Sequence, residues 1–345
     1  MTNSPVVSMV ISAYNAESYI GDAVSSILRG NFTELELIVV DDGSTDRTTT
    51  VLSGIRDGRL TLLENERNRG VAFSFNRAIR ESSGKYIAFL GADDISLPYR
   101  LQTQYEFMES RPDIDICGGW MEKFGDETGV IRLPVNDAHI RTQLLWGCCM
   151  AHPTVIMRRD TVLRHSLYYD ENLSSAVDYD LWARAIDVAK FHNIPEILVR
   201  YRVHSEQISV ARKKEQEAMA QYISENLLIS ADMSPTPAQK KMHQSLARGF
   251  VRPQTIDDME LFVAWINKML HSEKMMRRHP LLKKYLKEKI NVMATYESFA
   301  SLGWRALCSF MRTSFFDYSI PLARKTRFMI RSLYHVARSC RGGNA

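Results

Sequence analysis

The N-terminal part of the chain alternates short apolar runs with segments of helical periodicity, and this alternation restricts the fold more than any other feature. Four runs have the length and the β-branched or aromatic content of buried strands: Val6–Ile11, Leu35–Val40, Leu60–Leu63 and Tyr86–Leu90. Helices are predicted over Glu17–Leu28, with Asn15 as the cap, and over Val71–Glu81. Strands separated by helices predict an α/β fold with a mostly parallel sheet and flanking helices.

Polar or aromatic residues follow three of these strands. Ser12 and Tyr14 come after the first strand, Asp41-Asp42 after the second, and Asp93-Asp94 after the fourth. Ligands of parallel sheets bind beyond the carboxyl ends of the strands, so these side chains are expected on one rim of the sheet. The chain lacks the G-x-G-x-x-G and Walker A glycine patterns, which disfavours a dinucleotide-binding or P-loop protein.

The second half of the chain differs from the first in pattern and charge. Apolar residues recur at helical spacing in four segments: Gln216–Ile229, Asp257–Leu270, Leu281–Glu297 and Arg324–Arg338. Residues 1–211 carry 21 Lys and Arg against 29 Asp and Glu, whereas residues 212–345 carry 23 against 11. We therefore predict a boundary near Ala211, with one domain over 1–211 and a basic, mainly α-helical region over 212–345. Such a region suits an anionic lipid, a nucleic acid or an acidic polymer, or is simply a solvated helical face.

Composition excludes several classes of protein. A chain of 345 residues with 45% hydrophobic and 24% charged residues is neither disordered nor fibrous. The five cysteines have no zinc-type spacing, which favours reduced thiols and a cytoplasmic location. The longest run without a charged residue, Thr142 to Met157, is shorter than the roughly 20 apolar residues of a spanning helix. Residues before the first apolar run lack the basic region of a signal peptide.

The acidic pairs carry the chemistry, although each has an ordinary structural interpretation. Asp93-Asp94 at a strand end can hold Mg²⁺ or Mn²⁺, since both ions prefer oxygen ligands and share them with substrate phosphates. The same pair can instead cap a helix, and Asp41-Asp42 fits a turn. Asp178 can cap a helix, and lone histidines such as His152 and His204 are commonly structural hydrogen-bonding groups. The residues alone leave these alternatives open.

The order and spacing of the motifs resemble those of family 2 glycosyltransferases with the GT-A fold, a Rossmann-like sheet. The resemblance covers about residues 5–210 and rests on seven segments: VSMVISAYN, ELIVVDDGSTD, NRGVAFSFN, GKYIAFLGADD, HPTVIMRRD, DYDLWAR and YRVHSEQIS. It implies transfer of a sugar, with inversion, from a nucleotide-sugar donor that is usually a UDP-sugar.

The resemblance also implies roles for individual residues. Ser12, Tyr14 and Asp42 match positions that bind the base, Tyr14 by stacking and Asp42 by accepting a hydrogen bond from uracil N3–H. Asp93 and Asp94 match the end of the family's DxD-type motif, with Asp94 as the direct ligand of Mn²⁺ or Mg²⁺. Asp178 matches the catalytic base, and His204 matches a histidine that approaches the metal and the diphosphate. His152 and Asp180 are candidates for the acceptor side.

The chain departs from the family pattern at three positions. Gly91 stands at the first DxD position, Val177 replaces an acidic residue that often precedes the base, and the segment Ser74-Phe75-Asn76 lacks the arginine that is common before that asparagine. Glycine at the first DxD position leaves fewer carboxylates for the metal. The Q-x-x-R-W motif of processive synthases is absent, which favours addition of one sugar per encounter.

Two other functions fit part of the pattern. An inactive GT-A-like scaffold would bind a sugar or nucleotide without turnover, and a nucleotidyltransferase would also use paired acids and a metal. The predicted partners are a nucleotide-sugar and a saccharide or lipid-linked saccharide acceptor of surface-glycan biosynthesis, with no nucleic acid. Residues 300–345 hold eight Lys and Arg and one acidic residue, Asp317, which predicts peripheral binding to the inner face of the cell membrane.

Overall fold

A computed structural model describes residues 4–205, 207, 212–248 and 255–293. These residues fall into two compact units, one within Met1–Leu144 and Cys148–Ile223, the other within Leu145–Gly147 and Ser224–Ala345. The boundary at Ala211 that charge predicts lies outside the described residues. The first unit is an α/β structure and the second is helical, as the sequence predicts.

The described part of the first unit contains one sheet of nine strands. In chain order they are β1 Val7–Ala13, β2 Leu35–Asp41, β3 Leu60–Glu64, β4 Tyr86–Gly91, β5 Ile95–Ser96, β6 Ile116–Gly125, β7 Gly129–Ile131, β8 Ile156–Arg158 and β9 Phe191–Val203. The strand order is β3-β2-β1-β4-β8-β6-β9-β5, and β7 pairs with β6. β1 to β4 are parallel, β6 is parallel to β9, and β8 runs antiparallel to both β4 and β6.

Seven α-helices accompany the described strands of this unit. They are α1 Ile20–Leu28, α2 Thr48–Ser53, α3 Val71–Glu81, α4 Arg100–Ser110, α5 Asp137–Leu144, α6 Arg159–Arg164 and α7 Val177–Ala185. A 3₁₀ turn over His152–Thr154 precedes β8. The predicted cap at Asn15 is wrong, because α1 begins at Ile20 and the Asn15 side chain instead accepts a hydrogen bond from the Thr45 backbone.

The apolar strands lie at the centre of the sheet. Val7, Met9, Val10 and Ile11 of β1 are all fully buried, which covers both faces of that strand. A strand buried on both faces has a continuous apolar run instead of alternating apolar and polar residues. This is why the sequence of β1, β2 and β4 identifies the centre of the sheet.

The second unit is built from helices. Helices span Lys213–Ser230, which crosses the division between the units, and Pro237–Ala247, Ile256–His271, Glu273–Arg278 and Leu282–Met293. Capping boxes at Thr236 and Thr255 begin two of these helices. The helices Pro237–Ala247 and Glu273–Arg278 were not predicted. The first begins inside a proline-rich break, and the second has only 6 residues. The predicted helix Arg324–Arg338 lies outside the described residues.

None of the helices within the described ranges is both long and apolar enough to cross a membrane.

Candidate active site

The carboxyl ends of β1, β2 and β4 meet on one rim of the sheet. The parallel register pairs Ser12 with Val40 of β2 on one side and with Gly91 of β4 on the other. Ala13 pairs with Asp41 in the same register. The residues that follow these strands therefore share one edge, as the sequence predicts.

Asp42 is a buried carboxylate held by three protein donors. Its Oδ1 accepts hydrogen bonds from Asn65 Nδ2 at 2.7 Å and from the Arg69 backbone at 2.9 Å. Its Oδ2 accepts one from the Gly70 backbone at 2.8 Å. A carboxylate oxygen has two acceptor positions, so Oδ2 has capacity for one further donor. Asn65, which directly follows β3, was not predicted as part of the site, because no sequence feature there indicates a contact with the residue after β2.

A close approach of two loops explains the glycine after Asp42. Gly43 has φ +71°, and a Cβ placed there would lie 2.5 Å from the carbonyl carbon of Arg67. Only glycine combines this backbone conformation with this contact. Gly43 therefore allows the backbone at Arg67 to pack closely against the D-D-G turn. The backbone N–H groups of Arg69 and Gly70 donate to the Asp42 carboxylate.

Tyr14 lies at the rim and is 47% exposed. The next residue, Asn15, has φ 48°, in the left-handed region. An exposed aromatic ring on a fixed loop is a suitable surface for stacking a planar base.

Asp93, Asp94 and His204 are brought together at the end of β4. Nε2 of His204 lies 3.0 Å from Oδ2 of Asp93. Asp94 is 2% exposed, and its Oδ1 accepts a hydrogen bond from the Arg202 backbone at 3.0 Å. Burial and the neighbouring Asp93 carboxylate raise the pKa of Asp94 well above its usual range.

Gly91 leaves room for these carboxylates. A Cβ at position 91 would lie 2.5 Å from Oδ2 of Asp94 and 2.9 Å from Oδ1 of Asp93. An acidic residue at this first DxD position would therefore require the other two carboxylates to move. The departure of Gly91 from the family pattern thus has a steric consequence within this site.

The donor set at the end of β4 fits a hard divalent cation. Within the described part of the chain, no three His, Cys, Asp or Glu side chains already form a complete metal-binding group. Mg²⁺ and Mn²⁺ commonly take only one or two carboxylates from a protein and complete their shell with substrate phosphates and water. Asp93 and Asp94, with His204 beside them, supply such a partial set.

Two arginines that the sequence analysis missed lie around the acidic pair. Nε of Arg202 donates a hydrogen bond to the Asp93 carbonyl at 2.8 Å. Arg100 is fully buried and donates to the Phe89 carbonyl at 2.8 Å. Burial lowers the pKa of Arg100 to about 9, while the Asp94 carboxylate acts in the opposite direction. An R-x-H sequence and an arginine opening α4 were the available signals.

Asp178 lies in the first turn of α7, after Ala176, which has φ 51°. Desolvation raises the pKa of Asp178, whereas hydrogen bonds, including one from the Cys148 thiol, act to lower it. The Sγ of Cys148 is 3.8 Å from Oδ2 of Asp178. The alternative role of Asp178 as an N-cap residue is wrong, because Ala176 occupies the N-cap position of α7. Cys148 was also missed, because its contact depends on two segments 30 residues apart.

The two predicted acceptor-side residues have well-defined partners. Nε2 of His152 lies 2.7 Å from the Tyr169 hydroxyl, and its ring packs against those of Phe75 and Phe89. Burial lowers the pKa of His152 to about 3, so its ring is neutral. Asp180 forms an ion pair with Arg184 at 2.7 Å. Their roles toward an acceptor stay predictions.

The α/β sheet and its acidic rim are those of a GT-A glycosyltransferase. The family model for glycosyl transferase family 2 matches residues 8–167. An uncharacterized glycosyltransferase of Haemophilus influenzae is 33% identical over 236 residues, which cover 65% of this chain and 73% of that protein. The chain belongs to glycosyl transferase family 2.

One further relative and one solved structure have more informative names. UDP-Glc:alpha-D-GlcNAc-diphosphoundecaprenol beta-1,3-glucosyltransferase WfaP of Escherichia coli is 32% identical over 212 residues, covering 61% of this chain and 82% of WfaP. The crystal structure of S. aureus TarS 1-349 in complex with UDP-GlcNAc superposes with a TM-score of 0.56 and 17% identity, covering 94% of this chain and 91% of TarS 1-349. The likeness to TarS concerns the fold alone.

Proposed function

We propose that this protein transfers one sugar residue per encounter, with inversion, from a UDP-sugar to a saccharide or lipid-linked saccharide in surface-glycan biosynthesis. Membership of glycosyl transferase family 2 supports a nucleotide-sugar donor. The name of WfaP specifies a UDP-Glc donor and a diphosphoundecaprenol-linked acceptor for that relative. The single observation that carries the proposal is the placement of Asp42 and Asp93 after the carboxyl ends of β2 and β4, the parallel strands on either side of β1, with His204 beside Asp93.

The uridine would bind at the ends of β1 and β2. Tyr14 presents an exposed ring for stacking on the uracil. The remaining acceptor position on Oδ2 of Asp42 would receive the N3–H of the base. Ser12, between Val40 and Gly91 in the register, would contribute its side chain on the same rim.

The diphosphate would bind at the end of β4. Asp94 and Asp93, with His204, would hold Mn²⁺ or Mg²⁺ there. The side chain of Asp93 is 23% exposed and Asp94 is 2% exposed, so Asp93 offers the more accessible oxygen. A bound cation would offset the negative charge that develops on the departing diphosphate.

Asp178 would act as the general base. One of its carboxylate oxygens would take the proton from an acceptor hydroxyl while that oxygen forms a bond to the anomeric carbon. The bond from the anomeric carbon to the diphosphate oxygen would break, with its electron pair leaving on UDP. Attack opposite the leaving group inverts the configuration. A raised pKa makes the Asp178 carboxylate a stronger base than an ordinary aspartate.

A panel of UDP-sugars, assayed for UDP release with and without Mn²⁺, tests the proposed function. We expect one or a few donors to give metal-dependent release that increases when a lipid-linked saccharide is added. UDP binding without turnover of any donor would favour an inactive scaffold. Release of pyrophosphate from a nucleoside triphosphate and a sugar phosphate would favour a nucleotidyltransferase.

A further inference from the structure

We propose that Asp46 is a positioning residue for the donor, because its carboxylate ties the loop after β2 to the loop that carries Tyr14. The inference rests on the proposed function, in which Tyr14 stacks on the base of the donor. Asp46 belongs to neither the acidic pair nor the base-binding residues. Its role follows from how it divides its two oxygens between the loops.

Each oxygen of Asp46 serves a different loop. Oδ1 accepts from the backbone of Thr48 at 2.9 Å and from its Oγ1 at 2.6 Å, where the loop after β2 ends and α2 begins. Oδ2 accepts from the backbone of Glu17 at 3.0 Å, in the loop after β1. Asp46 thus fixes its own loop with one oxygen and holds the neighbouring loop with the other.

The bond to Glu17 is part of a set that holds each of the three residues after Tyr14. The Asn15 backbone donates to Ser44 Oγ at 3.0 Å. The Ala16 backbone donates to Thr48 Oγ1 at 2.8 Å. The consecutive backbone N–H groups from 15 to 17 therefore all donate to side chains of the loop after β2 or of the first residue of α2.

This set of bonds stabilises an unfavourable backbone conformation next to Tyr14. Asn15 has φ 48°. This conformation costs a non-glycine residue free energy and persists only where the surrounding structure enforces it. The Thr45 backbone donates to Asn15 Oδ1 at 2.9 Å, and the Arg47 backbone donates to Glu17 Oε2 at 2.8 Å. Bonds thus run in both directions between the loops and hold the backbone directly after Tyr14.

The charge of Asp46 suits this role. Burial acts to raise the pKa of Asp46, but the hydrogen bonds from Thr48 and Glu17 outweigh it, so the pKa is lower than usual. An ionised carboxylate only accepts hydrogen bonds, and every group facing Asp46 in these contacts is a donor.

The variant Asp46→Asn tests the inference with almost no change in shape. Its amide nitrogen carries hydrogens, so it would face either the Glu17 N–H or the Thr48 donors without accepting from them. The matched control is Asp57→Asn, since Asp57 accepts from the Arg59 backbone at 2.9 Å in a similar short-range pattern on a different loop. A second test variant, Thr48→Val, removes the Oγ1 that binds Ala16 with little change in volume.

Titration calorimetry with UDP and steady-state kinetics with the active UDP-sugar give the readouts. We expect Asp46→Asn and Thr48→Val to weaken UDP binding about 10-fold each, on the scale of one hydrogen bond to a charged group. The KM for the donor should rise in parallel while kcat at saturating donor stays within about twofold, as expected when only binding is affected. Asp57→Asn should leave both values unchanged, and melting temperatures should show that all variants are folded.

The outcomes separate this inference from the proposed function. If the wild-type protein binds no UDP, the proposed function fails and the inference fails with it. If the wild type binds UDP and both test variants bind it as tightly as Asp57→Asn, the inference alone is wrong. A fall in kcat at unchanged UDP affinity also contradicts a positioning role toward the base.

Discussion

Nε2 of His204 lies 3.0 Å from Oδ2 of Asp93, although the two residues are 111 positions apart in the chain. His204 follows β9, and Asp93 follows β4. The strand order places β8 and β6 between these two strands, and the short β5, which directly follows Asp94, pairs with β9. The pairing of β5 with β9 therefore brings His204 next to Asp93 and Asp94.

We predict that transfer requires a divalent cation held near His204. EDTA should abolish UDP release, and Mn²⁺ or Mg²⁺ should restore it. His204→Ala should raise the Mn²⁺ concentration for half-maximal activity about 10- to 100-fold, the scale for residues that support a metal site. His139→Ala is the control, because His139 is exposed and contacts Asn136 within its own turn. Full activity after exhaustive chelation would show that the metal proposal is wrong.

Asp178→Asn should lose transfer and gain stability. Loss of the general base should lower kcat about 10²-fold or more, with UDP affinity unchanged. Because the folded-state pKa of Asp178 is raised, its ionisation costs stability as pH rises from the unfolded pKa through the folded one. The neutral Asn avoids this cost, so the melting temperature at pH 7 should rise.

Asp160→Asn is the control for Asp178→Asn. The Asp160 side chain is 75% exposed and pairs with Arg164 on α6. We expect this variant to keep both activity and melting temperature, as exposed ion pairs contribute little to stability. Near-normal turnover of Asp178→Asn would remove Asp178 from the role of base.

Cys148→Ala should shift the acid side of the pH–kcat profile to higher pH. The thiol lies 3.8 Å from Oδ2 of Asp178, and its hydrogen bond acts to lower the pKa of that carboxyl. Without the bond, the base becomes protonated at a higher pH. Cys148→Ser should keep the wild-type profile, and Cys149→Ala, whose thiol instead donates to the Ile140 carbonyl, is the control. Identical profiles for all four proteins would exclude a role for Cys148.

Tyr14→Ala should weaken UDP binding without changing stability. Stacking of a base on an aromatic ring contributes about 1–3 kcal/mol, which corresponds to roughly 5- to 150-fold in affinity. Tyr14 is 47% exposed, so removal of its ring leaves no large cavity. Tyr222→Ala removes a tyrosine of similar exposure, 55%, from the helix Lys213–Ser230 and should bind UDP normally. Equal UDP affinity in the two variants would argue against stacking on Tyr14.

Binding of the C-terminal region to anionic membranes stays a prediction from charge. Residues 300–345 lie outside the described residues and carry eight Lys and Arg against one acidic residue. Each basic residue near an anionic surface contributes about 1 kcal/mol, and salt screens this attraction. The full chain should therefore co-sediment with anionic vesicles at low salt, less at high salt, and weakly with neutral vesicles. Failure of the chain to bind either kind of vesicle at low salt would contradict the predicted membrane binding.

Particular elements show why the sequence predicted the first half of the sheet better than the second. β1, β2 and β4 are buried on both faces, so their residues are mostly apolar and identify the strands. β9 mixes buried, half-buried and exposed residues and contains Pro195, and β8 has only three residues. Such strands depend on their neighbours, and the sequence analysis did not predict them.

The same distinction applies to the candidate site. Strand ends gave Tyr14, Asp42, Asp93 and Asp94 from local pattern, because the carboxyl end of a parallel strand is a predictable place for a ligand. Asn65 and Cys148 act through contacts with residues distant in sequence, and no local pattern marks them.

The amino-acid sequence by itself determined the family, the mostly parallel sheet and the rim where its polar residues lie, since these follow from apolar periodicity and from motifs within short segments. Only the tertiary structure decided which groups satisfy each carboxylate. It gave Asp42 three donors with one acceptor position remaining, and it placed His204 beside Asp93. It also gave the two carboxylate oxygens of Asp46 donors from two different segments, Glu17 for Oδ2 and Thr48 for Oδ1. Hydrogen bonds and charge interactions act over a few ångströms in space, and distance along the chain does not specify them.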